Sequence, residues 1–400
     1  MNTLLIDDDP LALKLLTRQL GRVGCVGVLH CERAEEAMTL LKARSEAIGL
    51  VFCDLQMPDI DGVEFVRHLA GIGYSGSLVL VSGEDGRILK AVAKLAQAHR
   101  IHVLGMLQKP IKNEQLSEVL ASHAARKAVP RRAAQGAFEP ADLERAIAGD
   151  ELIIHYQPKV ALASGALIGV ESLVRWNHPQ AGLVYPDRFI TLAEDHGLID
   201  ALTVAVLAAA LRQSRRWRDA GLDLQVAVNV SMDNLAALDL PDSVAQLASE
   251  IGVEPSRLVL EVTESRLMRD VRAPLDVLTR LRLKGVSLSI DDFGTGHSSL
   301  AQLRDIPFDE LKLDRSFVHG AAGDTSLGAI IEATLAMARQ LGMKTVAEGV
   351  EDQADLDYLR AHGCDVAQGY FIARPMPGAD LVGWRVAWES RRREWMATAA

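Results

Sequence analysis

The stretch SLSIDDFGTGHSSL, residues 287–300, places two adjacent acids at the end of a strand-like run. Leu288 and Ile290 make the run apolar, and Asp291 and Asp292 follow directly before a glycine-rich turn. Neighbouring carboxylates at the end of a buried strand repel each other and resist removal from water. The two acids therefore need a compensating partner, and the chain around them indicates what it is.

The same pattern, an apolar run with a polar end, recurs from residue 140 onward, and most runs are followed by a helical segment. The runs are LIIHYQPKV, LIGVESLVRW, LQVAVNVS, LVLEVTES, VSLSIDDFG, FDELKLDR, MKTVAEGV and DVAQGYF. Such a series over about 255 residues predicts a TIM-type (β/α)₈ barrel in 140–396. Barrel enzymes carry their chemistry at the carboxyl ends of the strands.

Residues 1–122 alternate shorter apolar runs with helical segments such as PLALKLLTRQLG. The runs TLLID, CVGVLH, LVFCD, SLVLVSG and HVLGMLQKP predict a flavodoxin-like, doubly wound parallel sheet. Residues 123–139 are rich in Ala and Arg and contain Pro130 and Gly136, which indicates a linker. The predicted fold class is α/β in both domains.

The composition, 49% hydrophobic and 24% charged, is that of a soluble globular protein. A net charge of −10 argues against a nucleic-acid coat, and no DNA-binding domain is expected. The acidic start MNTLLIDDDP is not a signal peptide, and the apolar run at 201–211 is too short to span a bilayer. Four cysteines without a CxxC pair indicate reduced thiols in the cytoplasm.

Polar side chains end nearly every run of the predicted barrel. They are Gln157, Glu171 with Arg175, Asn229, Glu261 with Glu264, Asp291 with Asp292, Lys312 with Asp314, Glu348 and Gln368. In a barrel these groups meet at one mouth, where the acids outnumber the cations Lys312 and Arg175. Such a cluster is stable only if cations neutralise it or carboxylates take up protons. Carboxylate and amide oxygens favour Mg²⁺ or Mn²⁺, as in two-metal hydrolysis of phosphate esters.

The barrel segment resembles an EAL-type cyclic di-GMP phosphodiesterase domain. The resemblance is carried, in family order, by YQPKV, ESLVRWNHP, NVS, EVTES, DDFGTGHSSL, LKLDR, AEGVE and QGYFIARPM. It implies hydrolysis of cyclic di-GMP to linear pGpG with a pair of Mg²⁺ or Mn²⁺ ions.

The resemblance also assigns roles to the matching residues. The implied metal ligands are Glu171, Asn229, Glu261, Asp291 and Asp292. The implied catalytic residues are Glu171, Lys312 at the attacking water or a phosphate oxygen, and Glu348 as proton acceptor or further metal ligand. The implied substrate-binding residues are Gln157, Arg175 as a phosphate clamp, Asp314 and Gln368. Glu264 would anchor the loop after Asp292.

The strand ends of residues 1–122 suggest a second site. Asp7, Asp8, Asp54, Ser82 and Lys109 cluster at the carboxyl edge of a doubly wound sheet and suit one Mg²⁺ and a phosphoryl group. The motifs IDDDP, CDLQMPDIDG, VSG and QKP resemble a receiver domain of two-component signalling. The resemblance implies phosphorylation of Asp54, Mg²⁺ at Asp7, Asp8 and Asp54, and phosphoryl contacts from Ser82 and Lys109.

Three positions depart from the patterns of these families. The signature triplet reads Glu-Ser-Leu, with Ser172 where alanine is usual. His297 replaces a frequent tyrosine in the loop after Asp292, and Met106 stands where receivers often carry a switching aromatic residue.

The leading hypothesis is a response regulator that hydrolyses cyclic di-GMP under control of phosphorylation at Asp54. Its expected partners are a cognate sensor histidine kinase and further copies of itself, as a dimer or larger oligomer. The alternative is an EAL domain that binds cyclic di-GMP as a sensor without turnover. A glycosidase is a third possibility, because paired carboxylates in a barrel mouth also suit that chemistry.

Overall fold

The computed structural model describes residues 2–25, 27–44, 47–58, 60–83, 86–99, 101–128, 138–263, 272–294 and 300–398. The chain divides into two compact units, residues 1–134 and 135–400. The linker bounds of 123–139 stay a prediction. The last helix of the first unit continues to Ala128.

The first unit is a five-stranded parallel sheet with a helix between successive strands. Its strands are β1 (Asn2–Ile6), β2 (Val28–Cys31), β3 (Ile48–Asp54), β4 (Ser77–Ser82) and β5 (His102–Gln108). Its helices are α1 (Pro10–Arg22), α2 (Ala34–Arg44), α3 (Gly62–Gly71), α4 (Gly86–Ala98) and α5 (Asn113–Ala128). The strand order β2-β1-β3-β4-β5 is that of flavodoxin-like sheets, so the predicted doubly wound fold is confirmed.

Helix α1 begins directly after the acidic end of β1. Asp9 caps it by accepting a hydrogen bond from the Leu11 N–H, and Pro10 occupies the first turn, where an N–H would lack a helical partner. Leu13 and Leu20, two turns apart, bury the inner face of the helix against the sheet. The cap and the apolar stripe hold the β1–α1 turn in place, and with it Asp7 and Asp8.

The second unit is a closed eight-stranded barrel, with β6, β7 and β9 to β14 as its wall. Its strands are β6 (Leu152–Ala161), β7 (Leu167–His178), β8 (Gly182–Val184), β9 (Gln225–Val230), β10 (Leu258–Thr263), β11 (Ser287–Phe293), β12 (Glu310–Leu313), β13 (Lys344–Ala347), β14 (Val366–Ala367) and β15 (Met376–Pro377). Its α-helices are α6 (Pro140–Ala148), α7 (Ile190–Asp195), α8 (Ile199–Asp219), α9 (Leu240–Ile251), α10 (Arg272–Leu283), α11 (Leu300–Asp305), α12 (Arg315–Val318), α13 (Thr325–Gln340), α14 (Gln353–Ala361) and α15 (Leu381–Thr398). Single 3₁₀ turns lie at Pro186–Arg188, Asn234–Ala236 and Pro255–Arg257. The predicted TIM-type barrel is confirmed.

Within the barrel wall, β6 differs from the regular β–α repeat. Strand β6 runs antiparallel to both of its barrel neighbours, β7 and β14. Only residues 162–166 separate β6 from β7, and Gly165, with φ of 64°, closes the turn between them. A parallel crossover needs a dozen or more residues, so this connection forms a hairpin and carries no helix.

The barrel wall separates an apolar outer layer from a polar interior. Val226, Val228 and Val230 of β9 belong to the core between the wall and the helices, so Ala227 and Asn229 face inward. The inward-facing side chains include the buried polar residues Lys159, Glu171, Glu261, Ser289, Glu310 and Lys312. The apolar layer stabilises the barrel, while the inner layer supplies charge to its mouth.

Among the described residues, no helix combines the length and hydropathy that a membrane crossing needs. The four cysteines are free thiols.

Candidate active site

The carboxyl ends of adjacent barrel strands bring the predicted polar residues together. In the strand register, Glu261 lies beside Asn229, and Asp291 lies beside Thr263 at the end of the neighbouring strand. Glu171 comes from β7, Lys312 from β12 and Glu348 from the first position after β13. The parallel strands direct these ends toward one mouth.

Lys312 lies at the centre of the acids. Its ammonium group is fully buried and lies near four carboxylates: Glu348 at 2.5 Å, Glu261 at 2.7 Å, Asp291 at 3.1 Å and Glu171 at 3.9 Å. Attraction between opposite charges is strong in a buried site of low dielectric constant. The repulsion around Asp291 is therefore partly offset by a cation of the protein itself.

Lys159 is a second buried cation, and its role was not predicted from the sequence. Its Nζ lies 2.5 Å from Oε1 of Glu261, while Lys312 Nζ contacts Oε2 of the same carboxylate. Lys159 stands two residues after Gln157 on β6, so both face the barrel interior. That alternation in HYQPKV could have revealed it, because a lysine on the inner face of a barrel strand requires an acidic partner.

Burial also shifts the pKa of several of these acids. Burial raises the pKa of Glu348 to about 8, against the opposing effect of Lys312. Burial likewise raises the pKa of Glu171, despite the nearby lysines. Glu261 behaves differently, because Lys159 and Lys312 outweigh the effect of burial and hold its pKa at about 2. The lysines therefore favour the charged form of Glu261, whereas burial favours the neutral form of Glu171 and Glu348.

Glu171 is held by side-chain amides on both of its oxygens. Asn229 Nδ2 donates to Oε1 at 2.8 Å, and Gln368 Nε2 donates to Oε2 at 2.6 Å. Because the NH₂ group of Asn229 donates to Glu171, the amide oxygen of Asn229 points away from Glu171 and can bind another group. This orientation suits the predicted role of Asn229 as an oxygen ligand.

Asp291, Asp292 and Glu348 form an open acidic cluster at the mouth. Each offers a carboxylate oxygen, and these oxygens lie within 4.8 Å of one another. Asp292 has a φ of 55°, the left-handed region that Asp tolerates better than most residues. Gly294, with φ of 91°, lets the backbone pass close to Phe317, whose ring would meet an added Cβ at 3.0 Å. The sharp turn places both aspartates at the cluster.

Arg175 is buried at the rim and is available for an anion. Its Nη1 donates to the Val174 carbonyl at 2.9 Å, and the guanidinium lies 4.9 Å from the centre of the Tyr185 ring. Within the described ranges, its buried Nε has no hydrogen-bond partner. A buried donor of this kind is costly unless a ligand satisfies it.

Asp314 caps α12, since its carboxylate accepts a hydrogen bond from the Ser316 N–H at 2.9 Å. A contact of Asp314 with substrate stays a prediction. Glu264 and His297 lie outside the described residues.

Two cavities flank the carboxylates. One, of about 250 Å³, is lined by Gln157, Glu171, Leu173, Arg315, Glu348, Gly349, Glu351, Gln368, Gly369 and Tyr370. The other, of about 320 Å³, is mainly apolar and is lined by Ser172, Leu173, Val174, Pro186, Ile190, Glu194, Ile199, Leu202, Thr203, Val206, Asn229, Val230, Ser231, Met232 and Thr263. Glu351 and Glu194, which sequence reasoning missed, each place a carboxylate at one cavity.

The residues predicted to form a second site lie close together in the first unit. Ligand oxygens of Asp7, Asp8 and Asp54 lie within 4.8 Å of one another. Lys109 Nζ lies 2.7 Å from Asp7 and 2.6 Å from Asp54, and the Lys109 N–H donates to the Ser82 carbonyl. The sheet edge thus gathers all of the predicted residues of this site.

Comparison with known proteins identifies both units. Residues 141–375 match the model of the EAL domain, and residues 3–121 match that of the response regulator receiver domain. The chain belongs to the EAL domain family. Its receiver and EAL domains occur in the same order as the two units of the structure.

Relatives of this EAL protein include cyclic di-GMP phosphodiesterases. It is 34% identical over 379 residues to "Cyclic di-GMP phosphodiesterase RocR" of Pseudomonas aeruginosa, covering 94% of this chain and 96% of RocR. It is 47% identical over 242 residues to the bifunctional diguanylate cyclase/cyclic di-GMP phosphodiesterase MucR of the same organism, covering 60% of this chain and 35% of MucR. The solved structure of a PaMucR phosphodiesterase–c-di-GMP complex matches with a TM-score of 0.57 and 47% identity, over 60% of this chain and 98% of that one.

The Lys159–Glu261 pair leads to a prediction about the stability of the EAL domain. Changing Lys159 to methionine should lower the free energy of unfolding by about 3–5 kcal/mol, because it leaves a buried carboxylate oxygen without its cation. Urea unfolding followed by circular dichroism measures this. Lys344→Met, at the exposed start of β13, is the control and should change stability little. Equal unfolding midpoints for the two variants would contradict the assigned pair.

Proposed function

We propose that this protein is a response regulator whose EAL domain hydrolyses cyclic di-GMP to linear pGpG. Its enzyme class is that of its relatives, so it is a cyclic-guanylate-specific phosphodiesterase. The observation that carries the proposal is the cluster of carboxylates around Lys312 at the barrel mouth. Phosphorylation of Asp54 in the receiver domain would control the activity.

The chemistry of the barrel mouth suits a pair of divalent ions, Mg²⁺ or Mn²⁺. Among the described residues, the donors at the mouth are carboxylate and amide oxygens without sulfur or imidazole, which is the set that hard cations prefer. Glu171, Asn229, Glu261, Asp291 and Asp292 would hold the ions, and Glu348 offers a further oxygen. When bound, such ions lower the pKa of water and stabilise the charge of the leaving oxygen.

The chain's own residues supply binding and proton transfer. Lys312 would donate to the attacking water or to a phosphate oxygen, and Arg175 would clamp a phosphate through its unused donors. Glu348 would accept the proton of the attacking water. Its carboxylate lies at the mouth beside Asp291 and Asp292, where a water activated by the ions would be bound. Gln157, Asp314 and Gln368 complete the set that the family resemblance assigns to substrate.

The apolar cavity beside the carboxylates would receive one base of the dinucleotide. Its walls are aliphatic, and Glu194 is held at its edge because Ser231 Oγ donates to Glu194 Oε1 at 2.7 Å. A carboxylate accepts hydrogen bonds from the N1–H and the amino group of guanine, whereas adenine lacks this pair of donors. The cavity therefore favours guanine.

The receiver domain would take phosphate from a cognate sensor histidine kinase. Asp7, Asp8 and Asp54 would hold one Mg²⁺, and Ser82 and Lys109 would contact the phosphoryl oxygens. We include in the proposal a cytoplasmic location, which free thiols suit, and self-association into a dimer or larger oligomer.

Changing Asp54 to asparagine should abolish labelling of the protein by a small phosphodonor such as acetyl phosphate. Asparagine keeps the shape of the side chain but lacks the nucleophilic carboxylate. Incorporated phosphate is measured after gel separation. Asp61→Asn, which alters the exposed cap of α3, should label like the wild type. Undiminished labelling of Asp54→Asn would exclude Asp54 as the phosphoacceptor.

Turnover of cyclic di-GMP by the purified chain tests the main proposal. We expect pGpG in the presence of Mg²⁺ or Mn²⁺, no product with a chelator, and a changed rate after incubation with a phosphodonor. Tight binding of cyclic di-GMP without any product would instead support the sensor. Activity that is insensitive to chelation and directed at sugars would support a glycosidase.

A further inference from the structure

A chain of amide hydrogen bonds connects a backbone carbonyl to Glu171. Gln157 Nε2 donates to the Ala373 carbonyl at 3.0 Å, and Gln157 Oε1 accepts from Gln368 Nε2 at 2.9 Å. The same Gln368 Nε2 donates to Glu171 Oε2 at 2.6 Å. Gln157 and Gln368 are buried, although both also line the smaller of the two cavities.

Only one orientation of both amides satisfies these contacts. The Ala373 carbonyl can only accept, so Gln157 must direct its NH₂ group there and its oxygen toward Gln368. Gln368 must then direct its NH₂ group toward both Gln157 and Glu171, since each presents an oxygen. Its own oxygen is buried and, within the described ranges, has no protein partner. The backbone carbonyl thus determines the direction of every later bond.

We propose that Gln157 is a positioning residue that acts on Glu171 through Gln368. We call the hydrogen bonds from Ala373 through Gln157 and Gln368 to Glu171 the relay. The relay occupies Oε2 of Glu171 and limits the rotation of its carboxylate. It thereby fixes the direction in which Oε1 would approach a metal ion. The family resemblance places Gln157 at the substrate, but both polar atoms of its amide are engaged within the protein. The inference rests on the proposed function, because it takes Glu171 as a metal ligand.

Partners that orient a metal ligand have measurable effects. Their loss typically weakens metal binding or activity by about 10- to 100-fold. Gln157→Met keeps the length of the side chain but removes its donor and acceptor, so Gln368 can turn and Glu171 loses a fixed contact. We expect weaker Mn²⁺ binding, and turnover that recovers when Mn²⁺ is saturating.

The test is calorimetric titration of Mn²⁺ into the full chain without substrate. The parent and each variant carry Asp8→Ala, so that the heat of Mn²⁺ binding to the receiver site does not add to the heat measured for the barrel site. Gln157→Met should bind Mn²⁺ about 10- to 100-fold more weakly than its parent. Gln225→Met, the same change at the amino end of β9, should bind like the parent. Gln368→Met should also weaken Mn²⁺ binding. The variant with both Gln157→Met and Gln368→Met should lose less Mn²⁺-binding free energy than the sum of the two single losses, because both residues act on Glu171.

Two results would overturn the inference. Unchanged Mn²⁺ affinity with a raised KM for cyclic di-GMP would make Gln157 a direct substrate contact. Unchanged Mn²⁺ affinity with a lowered melting temperature would make the relay merely structural. The proposed function has its own test: it fails if the unmodified protein does not hydrolyse cyclic di-GMP. The relay is tested by Mn²⁺ binding alone.

Discussion

Replacing Glu171 by alanine is expected to lower the turnover of cyclic di-GMP by about 10³-fold or more, the scale of losing a central electrostatic group from an active site. The change removes a proposed metal ligand. It also leaves the NH₂ groups of Asn229 and Gln368 without the carboxylate that they hold at 2.8 and 2.6 Å. Steady-state release of pGpG over a range of Mn²⁺ concentrations measures the loss.

The control for Glu171→Ala is Glu332→Ala, which removes an exposed acid from helix α13. It should keep the rate of the wild type. Circular dichroism and melting temperature show whether Glu171→Ala remains folded. A folded Glu171→Ala protein with full activity would disprove the site assigned here, since no other described residue occupies its position between Asn229 and Gln368.

Replacing Lys312 by methionine is expected to affect both stability and turnover. Without metal, the free energy of unfolding of the barrel should fall by about 3–5 kcal/mol, because buried carboxylates lose their shared cation. Turnover should fall by about 10²- to 10³-fold, since the proposed donor to the attacking water or phosphate is lost. Urea unfolding and pGpG release measure the two effects.

Added Mn²⁺ provides a sharper test of Lys312. A divalent ion replaces the missing charge among Glu261, Asp291 and Glu348, so Mn²⁺ should raise the melting temperature of Lys312→Met more than that of the wild type. Lys344→Met should respond to Mn²⁺ like the wild type, because its side chain is exposed at the opposite end of the barrel. An equal rise in all three proteins would show that Lys312 does not share the carboxylates with the ion.

The apolar runs in the sequence were enough to predict which polar residues lie at the strand ends. The acids at 291 and 292, and those at 171, 261 and 348, follow apolar runs, and parallel strands direct their carboxyl ends to one edge. The same reasoning placed Asp7, Asp54 and Lys109 at the edge of the first sheet, where Lys109 contacts both acids. The grouping of these residues could be predicted because it depends on strand direction and alternation, which are local properties of the chain; their roles stay predictions.

The hairpin at β6 shows where local patterns were insufficient. The run LIIHYQPKV predicts a strand but does not indicate whether it runs parallel or antiparallel to its neighbours. Its direction follows from the short connection to β7 and from closure of the barrel against β14. Closure brings Lys159 of β6 to Glu261, which is 102 positions away in the chain.

The sequence by itself determined the two α/β domains, the residue types at their strand ends and the need for positive charge among the acids. Only the tertiary structure decided which side-chain cations meet part of that need: Lys312 lies among four carboxylates and Lys159 contacts Glu261. It also decided the order of the relay from Ala373 through Gln157 and Gln368 to Glu171. The physical reason is that hydrogen bonds and ion pairs depend on distances of about 3 Å between atoms that only barrel closure brings together.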